Sequence, residues 1–525
     1  MKTNLKTVLF LAGLLSIVSV PCASAHTDVT AEEAKELIDT MEDLTVVDVR
    51  EPYEYNSTIG HIPGALNYPW NSGVLKADYE ELPADGPILV VCGSGSRSNR
   101  AANFLDSKDF SMVYDMLGGM SAWKWETETD VDPDSKYGGG TGEPNDPYLI
   151  YTAGQLNAIG AEPDDWDKHF MLMADIDLSV YTGADFNIIG NPAWPFTGVF
   201  DGNGKKISNF SYTSTDVNNV GLFRCVNGEK ALIKKLGLID PNIDGGTPKG
   251  EKFTGSLVGK LEGGTVTNCY VEYGIVIGES NVGGLVGYNE GIINNCYSSI
   301  EMSCDLIVGG LVGINLGTIT NCYSSSNISG DWTVGGLVAV NEGTIMDCYS
   351  IGGVWGATDI GGLVGWNNST ITNCYAAGSV AGTMNVGGLA GTNRESIVIS
   401  YWDIEISGQT TSDGGTGKTT AEMQTAGTFL EAGWDFVGET ENGTDDIWSI
   451  CEGTNYPRFV WQIPVGDFVC PDGITMYDFL FLLEFWLNDD CDSSNDFCQG
   501  TDLDQSGTVD EDDLEIFFEL WLTEK

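Results

Sequence analysis

A chain of 525 residues is too long for one ordinary domain, so two to four modules are expected. Its net charge of −52, from 76 acidic against 24 basic residues, repels phosphate backbones and argues against nucleic acid as a partner, while it attracts divalent cations. Thirteen cysteines would ordinarily suggest a disulfide framework, but their spacing assigns most of them elsewhere.

Residues 1–25 read as a signal peptide. Lys2 and Lys6 precede an apolar run from Val8 to Val20, and Ala23-Ser24-Ala25 offers a small-residue cleavage site. The run is too short to span a bilayer well, and no later segment is long and apolar enough, so no transmembrane segment is expected after cleavage near Ala25. The expected location is secreted, extracellular or on the cell surface, with the periplasm as an alternative.

Residues 26–126 alternate strand-like and helical patterns. Leu-Thr-Val-Val-Asp-Val-Arg at 44–50 and Ile-Leu-Val-Val-Cys at 88–92 read as buried strands; Ala31 to Met41 and Asn99 to Leu105 read as helices. This predicts a small α/β domain with a parallel sheet, whose ligands bind at the carboxyl ends of the strands. Cys92 sits at such an end. Gly93, Ser94, Gly95 and Ser96 let the following backbone curl, with several N–H groups turned inward as the substrate-binding loop. The helix start beyond the loop and Arg97 add positive charge, which should lower the Cys92 pKa and favour the nucleophilic thiolate. Cys92 and Arg97 are the candidate catalytic residues. Asp48, Arg50 and His61 read as structural.

Four segments in order, Asp48-Val49-Arg50-Glu51-Pro52-Tyr53-Glu54-Tyr55, Gly60-His61-Ile62-Pro63-Gly64-Ala65, Cys92-Gly93-Ser94-Gly95-Ser96-Arg97-Ser98 and Leu117-Gly118-Gly119-Met120-Ser121-Ala122-Trp123, resemble the rhodanese domain. The resemblance implies that Cys92 accepts a sulfane sulfur as a persulfide, held by the loop amides and Arg97, and passes it to a thiophilic acceptor. Four residues separate Cys92 from Arg97, where related phosphatases have five, which favours the smaller sulfur cradle. Eighteen acids against seven bases between His26 and Glu126, with neutral Gly93 and Ser94, make dianionic thiosulfate a poor fit. No organic cofactor is expected.

Residues 127–142, rich in Asp, Gly, Ser and Pro, read as a linker. Residues 143–463 are organised by a 26-residue period. Gly-Gly-Leu-Val-Gly begins at Gly283 and Gly309, variants begin at Gly335, Gly361 and Gly387, and Cys-Tyr pairs follow at Cys269, Cys296, Cys322, Cys348 and Cys374, then Ser400-Tyr401. One such coil cannot bury its apolar face but stacked coils can, which predicts an all-β parallel β-helix or similar solenoid. In-register strands hold Cβ atoms about 4.8 Å apart, wider than the ~3.8 Å of a disulfide, so the cysteine ladder should be packing rather than bridges. The repeat resembles the GLUG motif over a core of residues 254–402, with caps on either side.

Residues 464–525 carry seventeen acids over the last 61 residues against one base, Lys525. Asp502, Asp504, Ser506, Asp510 and Asp513 place oxygens at positions 1, 3, 5, 9 and 12 of a loop with Gly507 at 6; the Thr508 carbonyl at 7 completes a Ca²⁺ shell. An approximate copy spans Asp467 to Asp478 with its glycine, Gly473, displaced. Two loop–helix units resemble a type I dockerin, which implies a small α-helical, EF-hand-like module with structural Ca²⁺ and a cohesin-like protein or cell-surface scaffold as partner. Cys451, Cys470, Cys491 and Cys498 leave their pairing open.

The chain therefore reads as an exported multi-domain protein: an α/β rhodanese-like sulfurtransferase, a solenoid for binding or adhesion, with polysaccharide as a candidate ligand, and a docking tail. The alternative is a non-catalytic adhesion or carbohydrate-binding component carrying a vestigial rhodanese module.

Overall fold

The computed structural model describes residues 26–128 and 136–523, apart from residues 42, 57–58, 72, 85, 109, 215–216, 247–251, 439–441, 444, 471–472, 489–490, 492–497, 499 and 505. The signal-peptide reading of residues 1–25 lies outside them. The chain divides into two units, residues 1–133 and 134–525.

In the first unit, short β-branched runs form the strands and amphipathic runs the helices: β1 (Thr27–Val29), α1 (Ala31–Thr40), β2 (Thr45–Asp48), α2 (Pro52–Tyr55), β3 (Leu66–Asn67), α3 (Val74–Asp78), β4 (Pro87–Val91), α4 (Ser96–Asp106), β5 (Met112–Met116) and α5 (Gly119–Ala122). The sheet is wholly parallel, in the order β1-β5-β4-β2-β3. Central β4 is buried along its whole length, as its unbroken apolar sequence requires of a strand covered on both faces. Thr30 and Glu33 start α1 with a reciprocal capping box. The unit extends past residue 126, because His61 and Glu128 exchange both backbone hydrogen bonds at 2.9 Å.

The second unit is a parallel β-helix. Its coils contribute strands to two seven-stranded sheets, running from Asn219–Val220 to Met384–Gly387 and from Phe223–Val226 to Ala390–Asn393, and to a third sheet of 21 strands. The 26-residue period is the register itself: Val308 pairs with Val334, Val312 with Val338, and Cys322 with Cys348. Leu285, Leu311, Leu337, Leu363 and Leu389 stack fully buried along the interior. The first glycine of each repeat is obligatory: a Cβ on Gly335 would lie 1.9 Å from the Val338 carbonyl oxygen. Tyr137 is buried in the core of this unit, and the Gly138 amide bonds the Leu149 carbonyl, so the β-helix cap begins inside the stretch read as a linker.

Three ladders run along the stack. The cysteines are buried free thiols, as the spacing predicted. Burial pushes the Cys322 and Cys374 thiols up, away from reactivity. Ser400 closes the row, its hydroxyl accepting the Cys374 amide at 3.1 Å. Tyr270, Tyr297, Tyr323, Tyr349 and Tyr375 stack at 4.7–4.9 Å between ring centroids. The third ladder was not anticipated. Asn289, Asn315, Asn341, Asn367 and Asn393 bond side chain to side chain at 2.7–2.8 Å, and the first four are fully buried. Each amide satisfies its neighbour, so the row is tolerated in an apolar interior. The residue before each ladder cysteine (Asn268, Asn295, Asn321, Asp347 or Asn373) turns the chain with φ near +50°, a conformation that Asn and Asp adopt readily.

Residues Tyr401 onward cap the last coil: Phe429, Trp434, Trp448 and Phe459 bury the last rungs of the tyrosine ladder, Tyr349 and Tyr375. The tail has its own apolar cluster around Ile474, Leu482, Val509 and Phe517. Cys451 pairs with Cys470 and Cys491 with Cys498, which resolves the pairing left open by the sequence.

Candidate functional site

Cys92 follows the carboxyl end of β4 and is almost wholly buried. Gly95 adopts φ +103° as the N-cap of α4, which turns its N–H onto the Cys92 sulfur at 3.1 Å. The thiol lies 3.4 Å from the Ser98 hydroxyl, which itself donates to the Gly95 carbonyl at 2.9 Å. The sulfur thus sits in a small cradle at the start of α4, where the helix adds its positive end.

The loop carbonyls are turned away from the sulfur and tied down. The Met120 amide donates to Cys92 O at 2.7 Å, and the amide and hydroxyl of Ser121 both donate to Gly93 O at 2.9 Å. This clamp needs Gly119: with φ +53°, a Cβ there would lie 2.4 Å from Cys92 O. Gly118 to Ser121 belong to the last of the four sequence motifs, whose residue types alone do not reveal this task. Ser94 and Ser96 are exposed on the rim, and Gly93 is half-buried.

Arg97 reaches the loop, with a guanidinium nitrogen 3.3 Å from the position a Gly93 Cβ would take. Both terminal nitrogens, however, are held bidentately by Glu54 at 2.5 Å. Burial pushes the Glu54 carboxyl up, but the hydrogen bonds from Arg97 and from the Glu51 backbone outweigh it and bring it below its ordinary value. The cation foreseen over the sulfur is therefore neutralised at the mouth of the site by a residue on α2, whose part the sequence did not reveal. Asp48 and Arg50 form a buried pair at 2.7 Å, and Arg50 also donates to the Glu54 and Gly60 carbonyls. They hold the segment carrying Glu54. His61 stacks on Tyr55 at 3.6 Å and acts as structure.

In the tail, Asp502, Asp504 and Asp513 bring carboxylate oxygens within 4.8 Å of one another, and Asp502 and Asp513 are buried. The backbone shapes this loop. Gly507 (φ +99°) and Ser506 donate to Asp502, and Leu503, Asp504 and Asp510 amides donate to Asp513. Ser506 Oγ lies 3.2 Å from the Thr508 carbonyl oxygen. Burial pushes the Asp502 carboxyl up, a penalty a bound cation would offset. The segment from Asp467 repeats the plan: Gly473 has φ +98° and donates to Asp467, and the Phe468, Val469 and Thr475 amides donate to Asp478. The displaced glycine thus does the same work one position later.

Comparison with known proteins covers the first unit and the repeats of the β-helix. A family model for the rhodanese-like domain matches residues 30–126, and one for the GLUG motif matches residues 278–301, 306–329 and 356–381. The thiosulfate sulfurtransferase GlpE of Pseudoalteromonas translucida is 36% identical over 102 residues, 19% of this chain and 90% of that protein. Halomucin of Haloquadratum walsbyi is 35% identical over 156 residues, 28% of this chain but only 2% of that protein. A Gly-rich membrane protein of Evansella cellulosilytica is 37% identical over 146 residues, and the chain spans 16% of its length. A crystal structure described as a candidate immunoglobulin A1 protease from Bacteroides ovatus aligns over 64% of this chain and 99% of its own, at 22% identity and a TM-score of 0.42.

Proposed function

The chain belongs, through residues 30–126, to the rhodanese-like domain family, and on that premise we propose that it transfers sulfane sulfur through a persulfide on Cys92. The observation that carries this reading is the cradle: one N–H, from Gly95, on the sulfur, and the neighbouring carbonyls tied away from it. Such a site stabilises negative charge on sulfur without a metal or organic cofactor. The Cys92 thiolate attacks the outer sulfur of the donor. A Cys92 S–S bond forms, the donor S–S bond breaks, and the electron pair leaves with the donor as a thiolate or, from thiosulfate, as sulfite. An acceptor thiolate then takes the outer sulfur, and Cys92 leaves as thiolate.

The Glu54–Arg97 pair supports a preference for alkyl persulfides over thiosulfate, because it removes the cation a dianion would seek. Transfer rates with the two donors, on the wild type and on Glu54→Gln, test this: Glu54→Gln should raise thiosulfate turnover more than persulfide turnover. Equal rates for both donors in the wild type would contradict the reading.

The remaining parts are read as attachment. The loop from Asp502 to Asp513 fits Ca²⁺, which Asp502, Asp504, Ser506, Asp510, Asp513 and the Thr508 carbonyl would hold, in a dockerin-like tail for a cohesin-like protein or cell-surface scaffold. The β-helix exposes Trp355 beside Glu301 and Asn327, a stacking face suited to a polysaccharide. Export with cleavage near Ala25 fits these roles. Among the described residues no helix is long and apolar enough to cross a membrane.

A further inference from the structure

We propose that His26, Asp28 and Asp115 form a binding site for a divalent cation of the zinc class at the β1 edge of the rhodanese sheet. Asp28 and Asp115 are register partners on the neighbouring parallel strands β1 and β5, so their side chains leave the sheet on the same face. His26 immediately precedes β1. One ligand atom from each of the three residues lies within 4.8 Å of the others. Zn–N and Zn–O bonds of about 2.0–2.2 Å would draw such atoms to about 3.5 Å apart, a rotamer adjustment that exposed Asp28 is free to make.

Two observations point to a cation rather than to a chance cluster. The first is Asp115. It is fully buried, and neither carboxylate oxygen has a hydrogen-bond partner; Ser98 and Asn99 on α4 face it without reaching bonding geometry. A buried carboxylate without partners is costly, and a missing ion is among the explanations such a group calls for. The second is the orientation of His26. Its Nδ1 lies 2.8 Å from Asp106 Oδ2, which also accepts the His26 backbone N–H at 2.9 Å. A proton held on Nδ1 by Asp106 leaves the lone pair on Nε2, and Nε2 is the atom facing Asp28, at 3.5 Å. A carboxylate that fixes the tautomer of a histidine ligand in this way is the usual support of a metal-bound imidazole. Three carboxylates, Asp28, Asp106 and Asp115, surround one imidazole, an oxygen-rich setting that suits a doubly charged ion. Three protein ligands leave a fourth position for water. The ion would fasten β1 to β5.

The test is Co²⁺ binding, followed by visible absorption, to the full chain saturated with Ca²⁺, with Zn²⁺ as competitor. Wild type should bind Co²⁺ at a site that Zn²⁺ displaces. His26→Gln, Asp28→Asn and Asp115→Asn should each weaken it about ten-fold or more, and Asp106→Asn, which touches no metal, by about ten-fold. Asp502→Ala should leave it unchanged. Exposed Asp28→Asn keeps the test valid should a buried substitution disturb folding. Zn²⁺ should also slow hydrogen exchange of the β1 amides in wild type but not in Asp28→Asn. No Co²⁺ binding by wild type, or equal binding by wild type, His26→Gln and Asp28→Asn, would leave only an imidazolium among carboxylates and overturn the site.

Discussion

Replacing Gly119 by alanine should disable sulfur transfer from a position that touches no substrate. The added Cβ would lie 2.4 Å from Cys92 O and 2.7 Å from Gly93 C, and the residue would be held at φ +53°. The backbone conformation alone costs about 1–2 kcal/mol for alanine. Relief of the contact must move the Cys92 loop away from α5, breaking the bonds from Met120 and Ser121 amides to Cys92 O and Gly93 O, at about 1 kcal/mol each. The expected total is about 3–4 kcal/mol, of which about 2 belongs to the loop. Gly73→Ala isolates the backbone share, because Gly73 has φ +83° and nothing within 4 Å of the Cβ position. Stability of the first unit can be read in the full chain from hydrogen exchange of the β4 amides. Sulfur transfer is measured in parallel. A loop displaced by about 1 Å should lower the transfer rate about 100-fold in Gly119→Ala, with little change in Gly73→Ala. Equal losses of stability and rate in the two variants would show that the glycine clamp does not position Cys92.

Other consequences concern the second unit. Asn341→Ala removes the bonds to Asn315 and Asn367, both at 2.8 Å, and leaves buried amide groups without partners. It should cost about 2–4 kcal/mol, seen as faster exchange of the strands at 338–341 and 364–367, and unchanged exchange would refute a structural ladder. Asp347 occupies a position that is Asn in the other coils bearing a ladder cysteine, and burial raises its pKa to about 6. Its unfolded carboxyl ionises near 3.8, so the fold loses stability as pH rises from about 4 to about 6, where only the unfolded carboxyl gives up its proton, and the loss levels off above that. Asp347→Asn should therefore stabilise the β-helix by about 3 kcal/mol at pH 7, and the gain should vanish below pH 4; a gain that does not change with pH would disprove the assignment. Calorimetry with Ca²⁺ should show binding to the full chain that Asp502→Ala reduces, and heat unchanged by the substitution would refute those ligands.

Much of this was legible in local patterns. A 26-residue step is a register once coils stack, and the four ordered motifs around Cys92 lie where a parallel sheet gathers them. The sequence was mute where partners are distant. Glu54 lies 43 residues before Arg97, and nothing in its own segment announces that it takes the guanidinium from the sulfur. The Asn ladder escaped because segments such as Asn341-Glu342-Gly343 read as turns, and only the stack turns each amide toward the next. The loop at Asp467 looked irregular, yet Gly473 adopts the φ of Gly507, since backbone geometry rather than position number fixes where a glycine is needed. The pocket at His26 was missed because Asp115 sits within a strand, where its residue type alone does not reveal burial without partners.

Cys92 is the proposed carrier of sulfur. The direct measurement is the mass of the peptide containing Cys92, recovered without reductant after exposure of the full chain to an alkyl persulfide. A gain of one sulfur atom on Cys92, lost on addition of an acceptor thiol and absent from Cys92→Ser and from the buried repeat cysteines, is the predicted result. An unmodified Cys92 with persulfide and thiosulfate alike would contradict it.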